Sequence, residues 1–434
     1  MIFFTKKITQ RLTYVVEYLL AMQYGINYQI TTDIDVFKNS KDTKINYSEI
    51  EIKNTLQILP EGLLSEKDIR KGYPVLSEIE TMPVIFSNKT ALGFDILSAI
   101  FWFISRYEEY MSYNPDSFGR FSAKDSFSFK NNILNRPIVD EWVVYFEKKI
   151  LQQFNGINIK EREFKAITTI DVDSPWCYKN KGVFRNTIGV LLDILRGNFG
   201  NVVLRLKVLL GITEDPWYRF NWLLKEHKKN SLEIIFFVHI GDYGKYDKTV
   251  SYKKKNFINF IREISKQTDV FLHPSYKASE NIKVLKKEID RLSLILKSDV
   301  VKSRQHYLKI IIPNYYLMLI KAGIKEDFTM GFADKPGFRA GTSNKFYFFD
   351  LKANKTTSLL VNPFVVMDRT LKTYENTSNK DAIITIKELI NNVKNVNGTF
   401  ISLWHNESLS NMFEWKGWSN VFEETLDSLK NNKQ

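Results

Sequence analysis

The chain has 434 residues, of which 44% are hydrophobic and 14% aromatic, so it can build one to three domains and is not a disordered protein. Its formal net charge of +13 suits nucleic acid, an anionic membrane surface or an acidic glycan. The lysines are scattered on helix faces and no arginine-rich tract occurs, so solvated surface lysine explains the charge and no nucleic-acid partner is expected. The single cysteine, Cys177, excludes an internal disulfide and fits a reducing compartment.

The first part of the chain mixes helical and strand-like patterns without a clear rhythm. Apolar residues near the N-terminus recur at helical spacing and predict an amphipathic helix ended by Gly25, not a signal peptide. The longest apolar run elsewhere, Ile96 to Ile104, is too short to span a bilayer. We therefore expect a soluble, cytoplasmic protein without an integral membrane segment.

A polar, glycine-bearing stretch at 155–165 marks the predicted boundary between an N-terminal accessory domain (1–160) and a second domain (161–434). Beyond it, strand-like runs alternate with helical runs, which predicts βαβ units and favours a (β/α) barrel over a small open sheet. The predicted strands are 166–173, 232–238, 269–272, 300–303, 327–330, 357–361 and 399–404. The predicted helices are one opened by Asp215 as N-cap, one at 257–264, one at 282–296 capped by Ser279, one from Pro313 to Gly323 and one at 382–393.

Polar, titratable side chains follow several of these strands. Asp171 and Asp173 end the first one, and side chains at positions i and i+2 of a strand point the same way. Two carboxylates that close repel each other unless a cation lies between them or one is protonated. A metal ion bound by one carboxylate, with the other acting as a base, would remove this repulsion. The alternative is a solvent-exposed loop in which Asp173 caps a turn, and the spacing alone favours neither interpretation.

Four of the five histidines lie at or just after strand-like runs. In a barrel the C-terminal strand ends meet on one face. Together with the two aspartates, His273 and His306 therefore supply the nitrogen and oxygen ligands that zinc accepts, whereas each histidine alone is more simply a buried ring satisfied by a carbonyl. His405 is a third ligand or a proton donor, and His239 is assigned a structural or peripheral role.

Arg339 lies between Gly337 and Gly341 in GFRAGTS, where it suits either orienting a carboxylate or acidic substrate or a plain surface turn. Three tryptophans near His405, among them Trp404, offer a stacking face for a sugar ring, although core packing is the commoner role of tryptophan. A G-x-S-x-G elbow and a phosphate-binding glycine loop are both absent from the sequence.

The segments TTIDVD, FLHPSY, KSRQHYL, GFRAGTS and LWHN resemble the polysaccharide deacetylase superfamily, the NodB-homology or carbohydrate esterase family 4-like group. SRYEEY and GRFSAKDS resemble motifs of the extra N-terminal domain of a bacterial subgroup. The resemblance implies a distorted (β/α) barrel preceded by a smaller mixed α/β domain. It also implies a divalent metal, with zinc the expected ion, and hydrolysis of an acyl group, in the first place N-acetyl, from a carbohydrate substrate.

Residue by residue, the resemblance implies that Asp171 is the base, although Asp173 follows one residue later than the ligand in the family pattern. His273 matches one of two ligand histidines that the family spaces four apart; Lys277 stands at the second position, so His306 is proposed as the replacement.

By the same resemblance Arg339 corresponds to the arginine that holds the base, and His405 to a general acid. Tyr276 and Trp404 are predicted to bind the substrate. The alternatives are a glycan-binding pseudoenzyme on the same barrel, a basic nucleic-acid-associated protein, and a metal hydrolase of another bond; the oligomeric state is open.

Overall fold

A computed structural model describes residues 1–430 of the chain and shows a mixed α/β fold. The first six strands are β1 (Ile2–Thr5), β2 (Gln29–Thr31), β3 (Lys44–Tyr47), β4 (Leu56–Ile58), β5 (Leu76–Ile79) and β6 (Met82–Ile85). The helices among and after them are α1 (Gln10–Val16), α2 (Ile34–Asn39), α3 (Ile96–Ile104), α4 (Phe127–Lys130) and α5 (Ile138–Gln153). A π-helical turn at Glu17–Gln23 continues α1, as the apolar spacing predicts.

The first four strands form a parallel sheet in the order β2-β1-β3-β4, and β5 and β6 form a separate antiparallel pair. The apolar run Ile96 to Ile104 forms α3, which is buried along its whole length. A helix that is hydrophobic all round belongs inside a core. Residues 154–164, which include the predicted boundary, contain no regular secondary structure.

The remaining strands are β7 (Lys165–Val172), β8 (Glu233–His239), β9 (Asp269–His273), β10 (Lys302–Ser303), β11 (Glu326–Asp327), β12 (Phe346–Asp350), β13 (Lys355–Val361), β14 (Val366–Met367) and β15 (Thr399–His405). The helices are α6 (Val183–Leu195), α7 (Phe199–Leu209), α8 (Phe220–Asn230), α9 (Lys255–Ser265), α10 (Ile282–Leu296), α11 (Asn314–Lys321), α12 (Asn379–Asn395) and α13 (Trp418–Leu429).

These nine strands form one sheet in the order β12-β13-β11-β10-β9-β8-β7-β15-β14. Every pairing is parallel except that of β12 with β13. Among residues 1–430 the end strands β12 and β14 do not pair with each other, so the sheet is a curled half-barrel, which is consistent with the predicted distorted (β/α) barrel.

The two faces of this sheet carry different side chains. Phe237 on β8 and Leu403 on β15 belong to an apolar cluster inside the curl, whereas Phe236 and Trp404 face the helices and join the main core. Because Asp171 pairs in register with Phe237 and with His405, these two polar residues share the inner face.

Several predicted boundaries need correction. Asp215 does not open a helix: its carboxylate accepts hydrogen bonds from the backbone of residues 177–179, and α8 begins at Phe220. Asn281, not Ser279, caps α10. The sequence reasoning also missed β12, α13 and the helix pair α6–α7. Within residues 1–430 we find no helix with the length and apolarity needed to cross a bilayer.

Candidate functional site

The carboxyl ends of the parallel strands surround a pocket of about 380 Å³ on the inner side of the curl. Of the predicted residues, Asp171, Asp173, His273, His306 and His405 all line it, and the first three lie on β7 and β9 or directly after them. Strand ends that are far apart in sequence therefore meet at one rim, as the alternation of strands and helices predicts.

Asp173, His273 and His306 form a compact cluster. Oδ1 of Asp173 lies 3.3 Å from Nε2 of His273 and 3.4 Å from Nε2 of His306, and one ligand atom of each residue lies within 4.8 Å of the others. Zinc bonds of about 2.0–2.1 Å in tetrahedral geometry place neighbouring ligand atoms about 3.3 to 3.5 Å apart. The two distances from Asp173 thus match the edge of a zinc tetrahedron.

The hydrogen bond at the back of His273 decides what faces Asp173. Nδ1 of His273 lies 2.6 Å from the carbonyl oxygen of Arg304, which can only accept, so Nδ1 carries the proton. In the neutral ring Nε2 then carries a lone pair that points at Oδ1 of Asp173. Neither this Nε2 nor this Oδ1 has a hydrogen-bond partner. Two acceptors at this distance need a proton or a cation between them, and a divalent ion satisfies both.

His306 has a comparable support. Its Nδ1 donates to Oδ1 of Asp247 at 2.9 Å, and the same oxygen accepts the backbone N–H of Tyr276 at 2.9 Å. Histidines that bind metals usually donate their second N–H to a carboxylate or a carbonyl, which fixes the ring and raises its basicity. Both predicted ligand histidines have such a partner, and sequence reasoning missed Asp247 because it lies in an irregular loop.

His239 lies directly behind this cluster. It is fully buried, its Nδ1 donates to the carbonyl oxygen of His273 at 3.1 Å, and its Nε2 lies 3.6 Å from Asp247. Together with Asp247 and His306 it forms a second group of potential ligands. Burial, helped by the neighbouring His306, lowers the pKa of His239 to about 4, so the ring is neutral.

The charges of the cluster depend on one another. Burial raises the pKa of Asp173, but the imidazoles of His306 and His273 outweigh it and hold that pKa well below its ordinary value. Burial lowers the pKa of His306, yet Asp173 and Asp247 raise it to about 10. The carboxylates therefore attract positive charge to this point, whether it is carried by the ring or by a bound cation.

Asp171 is buried beside the cluster and faces Arg304. Its Oδ1 lies 3.3 Å from Nη1 of Arg304, and its Oδ2 lies 3.7 Å from Nδ1 of His273. The Arg304 guanidinium is itself fully buried and donates to the carbonyl oxygen of Phe328 at 2.9 Å and to Oγ1 of Thr169. It thus holds the Asp171 carboxylate in one orientation.

Arg339 does not reach Asp171, so the prediction that it orients the base is wrong. Its guanidinium is buried against Glu109, with Nε and Nη2 2.9 and 2.7 Å from the two carboxylate oxygens, and donates to Gly331 O at 2.9 Å. Arg304 makes the contact with Asp171 that was predicted for Arg339. The signal for it was present in KSRQHYL, directly before the ligand candidate His306.

His405 points into the pocket with a carboxylate behind it. Asp368 accepts from Nδ1 of His405 at 2.8 Å and from its backbone N–H at 2.7 Å. Burial lowers the pKa of His405, but Asp368 outweighs it and the pKa is raised above the ordinary value. Asp368 therefore fixes the orientation of the ring, and sequence reasoning missed Asp368.

The two predicted substrate-binding residues lie elsewhere. Trp404 is buried on the helix side of β15 against Trp418 and Phe422, because alternation along the strand turns it away from the pocket. Tyr276 stands one layer back and packs on Tyr246 and Tyr307, with ring centroids 4.2 and 5.4 Å away.

The wall of the pocket holds aromatic and basic side chains instead. They are Trp217, Tyr246, Tyr307 and Tyr374, with Arg120, Lys181, Lys248 and Arg369. Arg120 comes from the N-terminal part of the chain and donates to the Tyr307 carbonyl oxygen at 2.7 Å. The pocket thus brings carboxylates, imidazoles, basic side chains and aromatic rings together.

Comparison with known proteins gives three findings. Residues 1–155 match the model of a family of unknown function, DUF7033. A search of curated proteins finds no match. Among solved structures, the chain is similar to a candidate polysaccharide deacetylase from Mycobacterium smegmatis at 12% identity and a TM-score of 0.42, covering 63% of this chain and 86% of that one.

Two further solved structures show the range of the neighbours. The polysaccharide deacetylase Bc1974 from Bacillus cereus matches at 12% identity and a TM-score of 0.31, covering 62% of this chain and 88% of that one. The Puue allantoinase matches at 12% identity and a TM-score of 0.38, covering 62% and 85%. Three of the similar solved structures are named polysaccharide deacetylases. The reaction itself is inferred from the residues of the site.

Proposed function

We propose that this protein is a metal-dependent hydrolase that removes an acyl group, in the first place N-acetyl, from a sugar in a glycan or a glycan precursor. The observation that carries the proposal is the contact between Asp173 and two imidazoles, one of which turns a lone pair toward the carboxylate at 3.3 Å. This donor set is the kind that zinc accepts while keeping positions open.

Asp173, His273 and His306 would hold the ion. A bound divalent ion supplies Lewis acidity, which polarises a carbonyl and lowers the pKa of water. His239 and Asp247 support the ligand cluster from behind and keep the His306 ring fixed.

Asp171 is the base of this proposal. It lies beside the ligand cluster and takes a proton from the attacking water, while Arg304 positions its carboxylate. Because Arg304 is fully buried and shares its donors among three partners, the orientation of Asp171 is set before the substrate arrives.

His405 delivers a proton to the leaving amine or alcohol. Asp368 fixes the ring with Nδ1 protonated and raises its pKa, so that the donor form persists at higher pH. The base and the acid thus come from β7 and β15, which are neighbours in the sheet.

The sugar is suggested by the aromatic wall and by the motifs in which the sequence resembles polysaccharide deacetylases. Tyr246, Tyr307 and Trp217 offer the ring faces on which sugars stack, in place of Tyr276 and Trp404. Division of the chain at residue 160 and a cytoplasmic location remain predictions.

Elemental analysis after purification with added zinc tests the ligand set. We expect stoichiometric zinc in the wild type, loss of zinc in His273→Ala and in His306→Ala, and retention in the control His227→Gln, whose histidine is buried outside the site. Loss in only one of the two alanine variants would reassign the other residue.

Release of acetate from N-acetylated sugars tests the reaction. Asp171→Asn is expected to keep zinc and lose acetate release, because it removes the base and leaves the ligands. A wild type that binds zinc and glycan without releasing acetate would favour the glycan-binding pseudoenzyme, and release of phosphate or of a free sugar would indicate hydrolysis of another bond.

A further inference from the structure

Residues 183–212, which form the helix pair α6–α7 and the two turns after the helices, are inserted between β7 and β8 and carry half of the large exposed apolar side chains of the described chain, 13 of 26. Leu195 is 82% exposed, Phe184 78% and Leu210 74%. The others are Val183, Ile188, Leu191, Leu192, Ile194, Phe199, Val203, Leu206, Leu209 and Ile212. We call residues 183–212 the apolar hairpin. A contiguous exposed patch of this kind marks a binding surface.

The apolar hairpin has polar side chains between its two helices and apolar side chains on its outer surface. Its two helices are joined by polar contacts: Arg205 donates to Asp193 at 2.8 Å and to Asn186 at 3.2 Å. Gly189 makes room for the approach, since a Cβ there would lie 2.5 Å from the Arg205 guanidinium. Asn186 is the buried residue of α6. The polar groups therefore satisfy each other between the helices while the leucines and phenylalanines face outward.

The charge of the segment indicates what covers it. The apolar hairpin contains four lysines and arginines and one acidic residue, Asp193, which is paired with Arg205; Lys179 and Lys181 directly precede it. The whole chain carries a formal charge of +13. A symmetric dimer through this surface would bring two such basic hairpins together, because a twofold interface places the same patch on both sides. An anionic lipid surface neutralises the same charges and accepts the apolar side chains.

The N-terminal end of the apolar hairpin lies at the rim of the pocket. Lys181, which lines the pocket, precedes α6 and lies 4.5 Å from the ring centroid of Trp217, another lining residue. Arg185 in the first turn of α6 donates to Thr249 O at 3.0 Å, beside Lys248 of the pocket wall. A surface that holds the hairpin would therefore lie next to the pocket mouth.

We propose that the apolar hairpin docks the protein on the surface of an anionic lipid bilayer, with α6 and α7 lying in the interfacial region and Lys and Arg residues at the headgroups. The hairpin lies on the surface without crossing the bilayer. The proposal goes beyond the hydrolase and does not depend on it, because lipid binding is measured without substrate.

Flotation of the purified full-length protein with vesicles tests the proposal. We expect binding to phosphatidylcholine vesicles that contain phosphatidylglycerol, little binding to phosphatidylcholine alone, and weakening at high salt. Leu195→Asp with Phe199→Asp should lower the partition coefficient at least about tenfold, because two apolar side chains leave the interface and two negative charges enter it. Both side chains are exposed, so the fold should persist.

Leu294→Asp is the matched control. Leu294 lies on α10 and is 77% exposed, as exposed as the hairpin residues but outside the hairpin. Its variant should bind as the wild type does. The proposal would be overturned if Leu294→Asp lost vesicle binding to the same extent, or if the wild type did not bind anionic vesicles. A dimer in sedimentation equilibrium that the hairpin substitutions dissociate, without vesicle binding, would assign the surface to a second copy instead.

Discussion

Asp247 offers a test of the metal site that leaves every ligand in place. Its Oδ1 accepts from His306 Nδ1 and from the Tyr276 N–H, each at 2.9 Å, and the residue is 6% exposed. If His306 binds an ion through Nε2, the carboxylate behind it fixes the ring and raises the basicity of the ligand nitrogen. Removing that carboxylate should lower the affinity of the site for the ion, although the three proposed ligands stay in place.

The expected size follows from the two contacts. Loss of a group behind a metal ligand lowers affinity about 10- to 100-fold, which is ~1.4 to 2.7 kcal/mol. Asp247→Asn keeps an oxygen that accepts both N–H groups and removes only the charge, so we expect a loss near the lower value. Asp247→Ala removes the acceptor as well, and we expect a loss near the upper value.

Zinc affinity is measured by competition with a chromophoric chelator at constant pH. Asp242→Asn is the control, because Asp242 is a carboxylate of the same segment whose side chain is exposed and bound to Arg291 at 2.9 Å, away from the ligand cluster. If both Asp247 variants hold zinc as tightly as the wild type and the control, Asp247 does not support a bound ion and the proposed ligand role of His306 fails.

Three further predictions concern residues that sequence reasoning missed or misplaced. Arg304→Lys should lower kcat for deacylation at least about tenfold with zinc retained, because an ammonium cannot hold Asp171 and keep the other two contacts of the guanidinium. In Asp368→Asn the pKa of His405 should fall, because the carboxylate that raises it against burial is gone; the acid form is lost at lower pH, so the alkaline limb of a kcat/KM profile should move to lower pH. Glu109→Gln should lower the free energy of unfolding in denaturant by about 3–5 kcal/mol, because the buried guanidinium of Arg339 loses its counter-charge and that of Arg106 keeps Glu108 alone.

Matched variants separate these effects from general damage. Arg339→Lys should alter stability and leave the kcat of the remaining folded protein close to that of the wild type; a loss of kcat as large as in Arg304→Lys would contradict the assignment. Glu66→Gln, at a partly exposed ion pair with Arg70, should cost no more than about 1 kcal/mol. An alkaline limb that does not move in Asp368→Asn would remove His405 from the proton transfer.

The long strands and the convergence of the site could be predicted because they rest on local patterns. Strands such as β7, β8 and β15 are rich in β-branched and aromatic residues, and parallel strands must present their carboxyl ends at one edge. Asp171, Asp173 and His273 were therefore placed at the rim correctly. That the two end strands do not pair could not be predicted in the same way. The strands β10, β11 and β14 have two residues each, which is too short to show an alternation of polar and apolar residues.

The supporting groups could not be predicted because each is defined by a tertiary contact. Asp247 and Asp368 lie outside long periodic segments, and nothing local distinguishes them from surface carboxylates. Arg339 was assigned by motif likeness, and only the fold brings Glu109, 230 positions away, against it. Trp404 was misplaced although the alternation along β15 already puts it on the face opposite His405.

The N-terminal part of the chain contributes to the pocket and to the buried polar contacts near it. Asp140 on α5 is buried and accepts from Thr342 Oγ1 at 2.5 Å and from the Ser343 backbone N–H at 2.7 Å, just after the GFRA segment that holds Arg339. Arg339 in turn is neutralised by Glu109. A buried charge without its partner is strongly destabilising, so each part of the chain depends on the other for its buried polar groups. The wall of the pocket to which Arg120 contributes is therefore formed by both parts together.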